Sequence, residues 1–160
     1  MKTTYKFRQY MRTISFLLAV AAILSLSGCV TFGPKYSTMK NKIAELPKEK
    51  GRIVFYRPSA IFGYGFQPDI LLNGKLIGIS RSGTIFYVDV DSGMYRVTVP
   101  AVLYSGETTI DIGVPKNKTV YVKSYLSGSA FAGKTKVEVV SSEQAITEID
   151  DLEFMANPTK

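Results

Sequence analysis

The sequence predicts a mainly β protein. It reads as an antiparallel β-sandwich of about eight strands with a short C-terminal helix, after an N-terminal signal peptide and a linker. Three observations predict this. From Arg52 onward, short apolar or alternating runs recur between turn signals, at intervals of roughly 9 to 14 residues. Asn73-Gly74 stands between two such runs, the dipeptide that a tight hairpin needs because both central residues take positive φ. No stretch of helical period separates the runs, which disfavours a parallel sheet built from βαβ units.

The chain begins with a leader pattern. Lys2, Lys6, Arg8 and Arg12 form a basic start, and Ile14 to Leu26 is apolar or small throughout. A bilayer span needs about 20 residues, so this shorter run reads as a secretory signal over residues 1–28. It ends in Leu26-Ser27-Gly28-Cys29, with the only cysteine of the chain. This resembles the bacterial lipobox, in which an aliphatic and two small residues precede a cysteine that becomes the acylated first residue. Leu26, Ser27 and Gly28 would be the peptidase recognition residues and Cys29 the lipidation site. A thiolate is the strong nucleophile that takes a lipid, and two or more acyl chains hold a protein stably at a membrane. Val30 follows where an acidic residue would favour the inner membrane, which points to the outer membrane, facing the periplasm.

Residues 29–50 read as a tether. Met39, Ile43 and Leu46 have helical spacing, with Ser37 or Thr38 as cap and Pro47 as stop. Lys35, Lys40, Lys42, Lys48 and Lys50 could meet anionic headgroups, but Glu45 and Glu49 dilute that charge and favour a solvated spacer.

The sandwich domain is expected over residues 51–154. Its strands are read at 52–57, 69–72, 76–80, 84–90, 94–99, 108–114, 119–126 and 135–140. The first has Ile53 and Phe55 on one face and Val54 and Tyr56 on the other. Ser82-Gly83, Asp91-Ser92-Gly93 and Pro115-Lys116-Asn117 are the later turns. Ser141 or Ser142 caps a helix reaching to about Phe154, with Gln144 placed for a capping box and Ala145, Ile149 and Leu152 as its apolar stripe. Residues 155–160 should fray.

Tyr56-Arg57-Pro58, Asn73-Gly74-Lys75, Gly78, Gly83-Thr84-Ile85-Phe86-Tyr87-Val88 and Gly93-Met94-Tyr95-Arg96-Val97 together carry a likeness. Over about residues 51–126 the chain resembles a family of small bacterial lipoproteins, the domain of unknown function numbered 2846. The resemblance implies a β-sandwich at a membrane and brings no reaction or ligand. The chain has Ser92-Gly93 where members often have Pro-Gly, and Tyr95 where His is common, so no role of that His carries over.

Composition limits the chemistry. The formal charge of +7 loses the four cations of the leader, leaving +3 on the processed chain. That is weak ground for a nucleic-acid partner, and none is expected. The absence of His removes the commonest general base and metal ligand, and no metal or cofactor is expected. With Cys29 acylated, no thiol remains for a disulfide.

Four constellations stand out. Ser37-Thr38-Met39-Lys40 matches S-x-x-K but lacks the S-D-N and K-T-G companions of that nucleophile site. Asp89 and Asp91 near Gly93 lack the further oxygens a calcium loop needs and read as a turn with Gly93 at positive φ. Arg57 could bind an anion but is expected rather to pair with an internal carboxylate such as Asp69 or Asp89. Ile61-Phe62-Gly63-Tyr64-Gly65-Phe66 alternates aromatic residues and glycines. Its rings commonly turn inward in such loops, Phe62 and Phe66 closing one end of the sandwich. Exposed together, Phe62, Tyr64 and Phe66, with Phe131 of the loop at 127–133, would instead mark a partner-binding surface.

The expected function is a membrane-anchored envelope lipoprotein, not an enzyme, with a binding or scaffolding module for an envelope protein or glycan. The alternatives are a small envelope hydrolase using Ser-Lys or paired carboxylates, and a membrane-displayed inhibitor of another enzyme.

Overall fold

The computed structural model describes residues 33–101, 106–128, 134–156 and 158. Leu26, Ser27, Gly28, Cys29 and Phe131 lie outside these residues. Among the described residues there are nine strands: β1 (Lys50–Arg57), β2 (Asp69–Leu72), β3 (Lys75–Ile79), β4 (Thr84–Asp91), β5 (Gly93–Val99), β6 (Thr108–Val114), β7 (Thr119–Ser127), β8 (Lys134–Val140) and β9 (Glu153–Phe154). A single helical turn, α1 (Tyr36–Met39), precedes them, and α2 (Ser142–Ile149) lies between β8 and β9. The eight predicted strands all form, close to their predicted bounds.

The strands make two sheets, ordered β8-β7-β1-β4-β9 and β3-β2-β5-β6. Most pairings are antiparallel, but β1 runs parallel to β7 and β4 parallel to β9. The β1–β7 pair is joined through intervening strands rather than through a helix. Asn73 and Gly74 close the β2–β3 hairpin with φ of 49° and 78°, as the tight turn requires. Asn117 likewise takes positive φ before β7.

β1 is the organising strand because both its faces are apolar. Ile53 and Phe55 point into the core between the sheets, against Ile70, Val97, Val99, Ile112, Val114 and Val122. Phe55 stacks on its cross-strand partner Phe86 at 5.2 Å. Val54 and Tyr56 point the other way, into a second cluster with Ile85, Ala145, Ile149 and Leu152. The five-stranded sheet is therefore covered on both faces, by the second sheet and by α2. On β5 and β6 burial alternates: Val97, Val99, Ile112 and Val114 are buried. Arg96 faces Asp111 across the strands at 2.9 Å in the open.

Several expectations need correction. α2 ends at Ile149, not near Phe154. Ser141 does cap it, accepting from the Gln144 amide at 3.2 Å, but the Gln144 side chain donates to Glu148 instead of closing a capping box. Glu153 and Phe154 leave the helix because the edge of β4 offers unpaired backbone groups: the Glu153 amide donates to Gly83 and the Met155 amide to Ile85, each at 2.9 Å. The Pro158 carbonyl accepts from the Ile79 amide, so the segment expected to fray is tied at these two positions.

The tether from Gly33 onward also docks. The Tyr36 amide donates to Leu152 at 2.7 Å, the Phe154 amide to Pro34 at 2.8 Å, and Tyr36 joins the second cluster. The helical turn falls at Tyr36–Met39, before the predicted stretch, because Tyr36 is the ring that packs. Gly93 does not take positive φ. Asp91-Ser92-Gly93 carries the chain from one sheet to the other and is not a hairpin turn, so Gly93 already sits in β5 opposite Val114.

Candidate functional site

The loop after β1 crosses to the second sheet and carries residues 58–68. Its base is fixed by Arg57, whose side chain is only 2% exposed. The guanidinium donates to the carbonyls of Phe66 at 2.8 Å, Gly63 at 3.0 Å and Ser80 at 3.1 Å. Two of these belong to the loop itself, and the third to the β3–β4 connection. A planar guanidinium with several donors suits such a fan of carbonyls. The Phe66 amide closes back on the Gly63 carbonyl at 3.0 Å, with Gly63 at φ 71°. The Ala60 amide donates to Ser82 Oγ at 2.9 Å. Beneath, Ser80 and Ser124 share a hydroxyl bond at 2.9 Å.

The carboxylate partner expected for Arg57 is absent. Asp89 is held in a two-point contact by Arg52, at 2.6 and 2.8 Å, and Arg52 also lies over the Tyr87 ring. Asp69 is exposed. Burial pushes the Arg57 guanidinium below its ordinary value, since its charge has lost water and gained only dipoles.

This bracing leaves the tip of the loop in solvent. Ile61 is 94% exposed, Phe62 76% and Tyr64 53%; Phe66 is half-buried. The inward packing expected of Phe62 does not occur. The carbonyls of Gly63 and Phe66 are drawn down to Arg57, and the side chains around them project outward. Two of the predicted loop residues, Phe62 and Tyr64, are thus exposed on the same loop, as is Ile61. Sequence reading passed over Ile61, although an isoleucine between Pro58 and the first glycine is the same kind of signal.

A cleft of about 640 Å³ opens next to the loop. Phe62 forms part of it, with Arg57, Lys123, Tyr125, Leu126 and Glu138. Lys123 and Tyr125 share a face of β7 because side chains alternate along a strand, while Val122 and Ser124 are buried. That alternation was visible in the sequence, but which face would meet the loop was not.

Lys123 donates to Glu148 at 2.8 Å, and Glu148 also accepts from Tyr56 at 2.8 Å and Gln144 at 3.2 Å. Burial tends to raise the Glu148 carboxyl, but these donors outweigh it and hold it below the usual carboxylate range. The Tyr56 hydroxyl is pushed well up, first by burial and then by its bond to Glu148.

Ser59 lies in the same cleft as Lys123. No hydrogen bond joins them among the described residues, and the lysine is committed to Glu148. Lys40 of the S-x-x-K match stands 3.7 Å from Asp150. Asp91 pairs with Lys50 at 3.1 Å and Asp89 with Arg52, so the two carboxylates do not converge on a cation position.

Fold and site together define a small β-sandwich module with one braced, exposed loop beside a cleft. Residues 47–149 match the family described as "Protein of unknown function (DUF2846)", and the chain belongs to that family. It is also similar to an uncharacterized protein of Haemophilus influenzae, 26% identical over 137 residues that cover 83% of this chain and 79% of the relative. No solved structure matches the chain.

Proposed function

We propose that this protein is a lipid-anchored envelope lipoprotein whose β-sandwich is a non-catalytic binding module. Cys29 carries the anchor, at the outer membrane and facing the periplasm. The loop at 61–66 and the adjoining cleft contact an envelope protein or glycan. One observation carries the reading: exposed Ile61, Phe62 and Tyr64 sit on a loop whose base is fixed by a buried cation. Apolar side chains clustered in solvent commonly mark interaction sites, and a fixed loop loses less entropy when it binds.

The test has two parts. Cys29→Ser is expected to abolish the mass added by acyl chains and to release the protein from the membrane fraction. A photo-crosslinker at Phe62 is expected to capture an envelope partner, whereas one at the equally open Met94 is not. Unchanged fractionation of the serine variant contradicts the anchor, and equal capture at both positions contradicts the surface.

A further inference from the structure

The tether that the sequence offers as a spacer is built into the fold from Gly33 onward. The Phe154 amide donates to the Pro34 carbonyl at 2.8 Å, and the Tyr36 and Ser37 amides donate to Leu152 and Asp150 at 2.7 and 3.0 Å. Lys35 pairs with Glu153 in an antiparallel bridge, and its ammonium meets Asp151 at 2.6 Å. Gly33 lies so close that an added Cβ would stand 2.7 Å from the Phe154 carbonyl oxygen. Further on, Arg52 donates to the Ala44 carbonyl at 2.9 Å. Only Val30, Thr31 and Phe32 separate Gly33 from Cys29. A free tether from Cys29 to Lys50 would reach roughly 70 Å when extended, whereas the link left to Gly33 reaches about 14 Å.

The same contacts fix how far the surface loop stands from Gly33. Arg57, Thr84, Glu153 and Lys35 are register partners in one row across β1, β4, β9 and the tether. Three strand spacings make that row about 15 Å wide. The base of the loop therefore stays within about 35 Å of Cys29, however the module tips. The loop's tip holds Ile61, Phe62 and Tyr64 in solvent, and residues 58–68 carry no charge. Nothing in the loop draws it to anionic headgroups. The strip beside the tether carries Asp150, Asp151 and Glu153, of which Lys35 and Lys40 offset only two. An uncharged apolar loop beside a cleft suits an apolar patch on a protein. We propose that the docked tether confines the module to the membrane surface, and that the partner of the loop is a protein seated in that same membrane. This rests on the anchor at Cys29 and narrows the envelope partner of the binding module to one class.

The experiment uses the full lipidated chain. A photo-crosslinker at Phe62 is placed in the parent and in a variant with a Gly-Ser spacer of about 20 residues inserted after Phe32. The protein captured by the parent, identified by mass spectrometry, is expected to carry its own membrane span or lipid anchor. The spacer is expected to lower capture roughly fivefold, because a longer link dilutes the loop at the membrane surface. A soluble protein or a glycan strand in the product, or capture undiminished by the spacer, overturns the proposal. Contact with lipid has its own arm. A fluorophore at Tyr64→Cys, in vesicles of phosphatidylethanolamine and phosphatidylglycerol, is expected to show no quenching by nitroxides on the acyl chains. Quenching there makes the bilayer itself the occupant and overturns the proposal. Cys29→Ser separates the two readings. If that variant stays at the membrane, the anchor falls and this proposal with it. If it is released while any overturning result stands, the anchor holds and only the partner class is lost.

Discussion

Arg57 is the residue on which the surface loop depends. Its three bonds satisfy carbonyls from two loop positions and from the β3–β4 connection, and no water can take its place while it is 2% exposed. Arg57→Met keeps bulk but leaves those carbonyls without a donor. It is expected to cost about 3 kcal/mol in urea unfolding and to speed hydrogen exchange at the Phe66 amide, which closes back on Gly63. A loss below about 0.5 kcal/mol, with loop exchange unchanged, contradicts the bracing. The sequence showed an arginine at the end of a strand before proline. It could not show that backbone carbonyls, rather than Asp69 or Asp89, would meet it, because that depends on how a loop folds back.

Elements are held by contacts that a single atom can disturb. Gly78 in β3 lies against the Phe86 ring, where an added Cβ would come within 2.5 Å of the ring's Cζ. Gly78→Ala should therefore destabilise by roughly 1–3 kcal/mol, as overpacking does, and a thermal melt checks it; an unchanged melting temperature contradicts the packing. Helix α2 is latched to β1 and β7 through Glu148. Its carboxyl is held low in the folded state, so the stabilisation is present above the ordinary glutamate range and is lost as pH falls through the lowered value. Glu148→Gln should flatten that part of the acid limb in a stability-against-pH profile. A variant that loses stability as steeply as the parent between about pH 5 and pH 3 contradicts the latch. The eight strands were legible because alternation and turn chemistry are local signals. The ninth was not, since Glu153 and Phe154 become a strand only where the edge of β4 waits for them.

At the scale of the whole molecule, β1 is buried on both faces, by the second sheet and by α2. The tether was harder to read. Its charges suited a solvated spacer, yet Tyr36 packs into the second cluster and the backbone around it pairs with the segment 150–154. The surface loop was legible as a candidate by its composition alone. Its exposure was not, because aromatic rings in a loop pack inward or outward according to what anchors their backbone.

The proposed binding surface requires that Ile61, Phe62 and Tyr64 serve contact and not the core. Replacing all three by Ser in the full chain tests it most directly, with thermal stability and envelope crosslinking measured on the same variant. The expected result is a melting temperature within a few degrees of the parent, together with loss of the crosslinked partner. A large fall in melting temperature, or capture of the partner at the parent level, would contradict it.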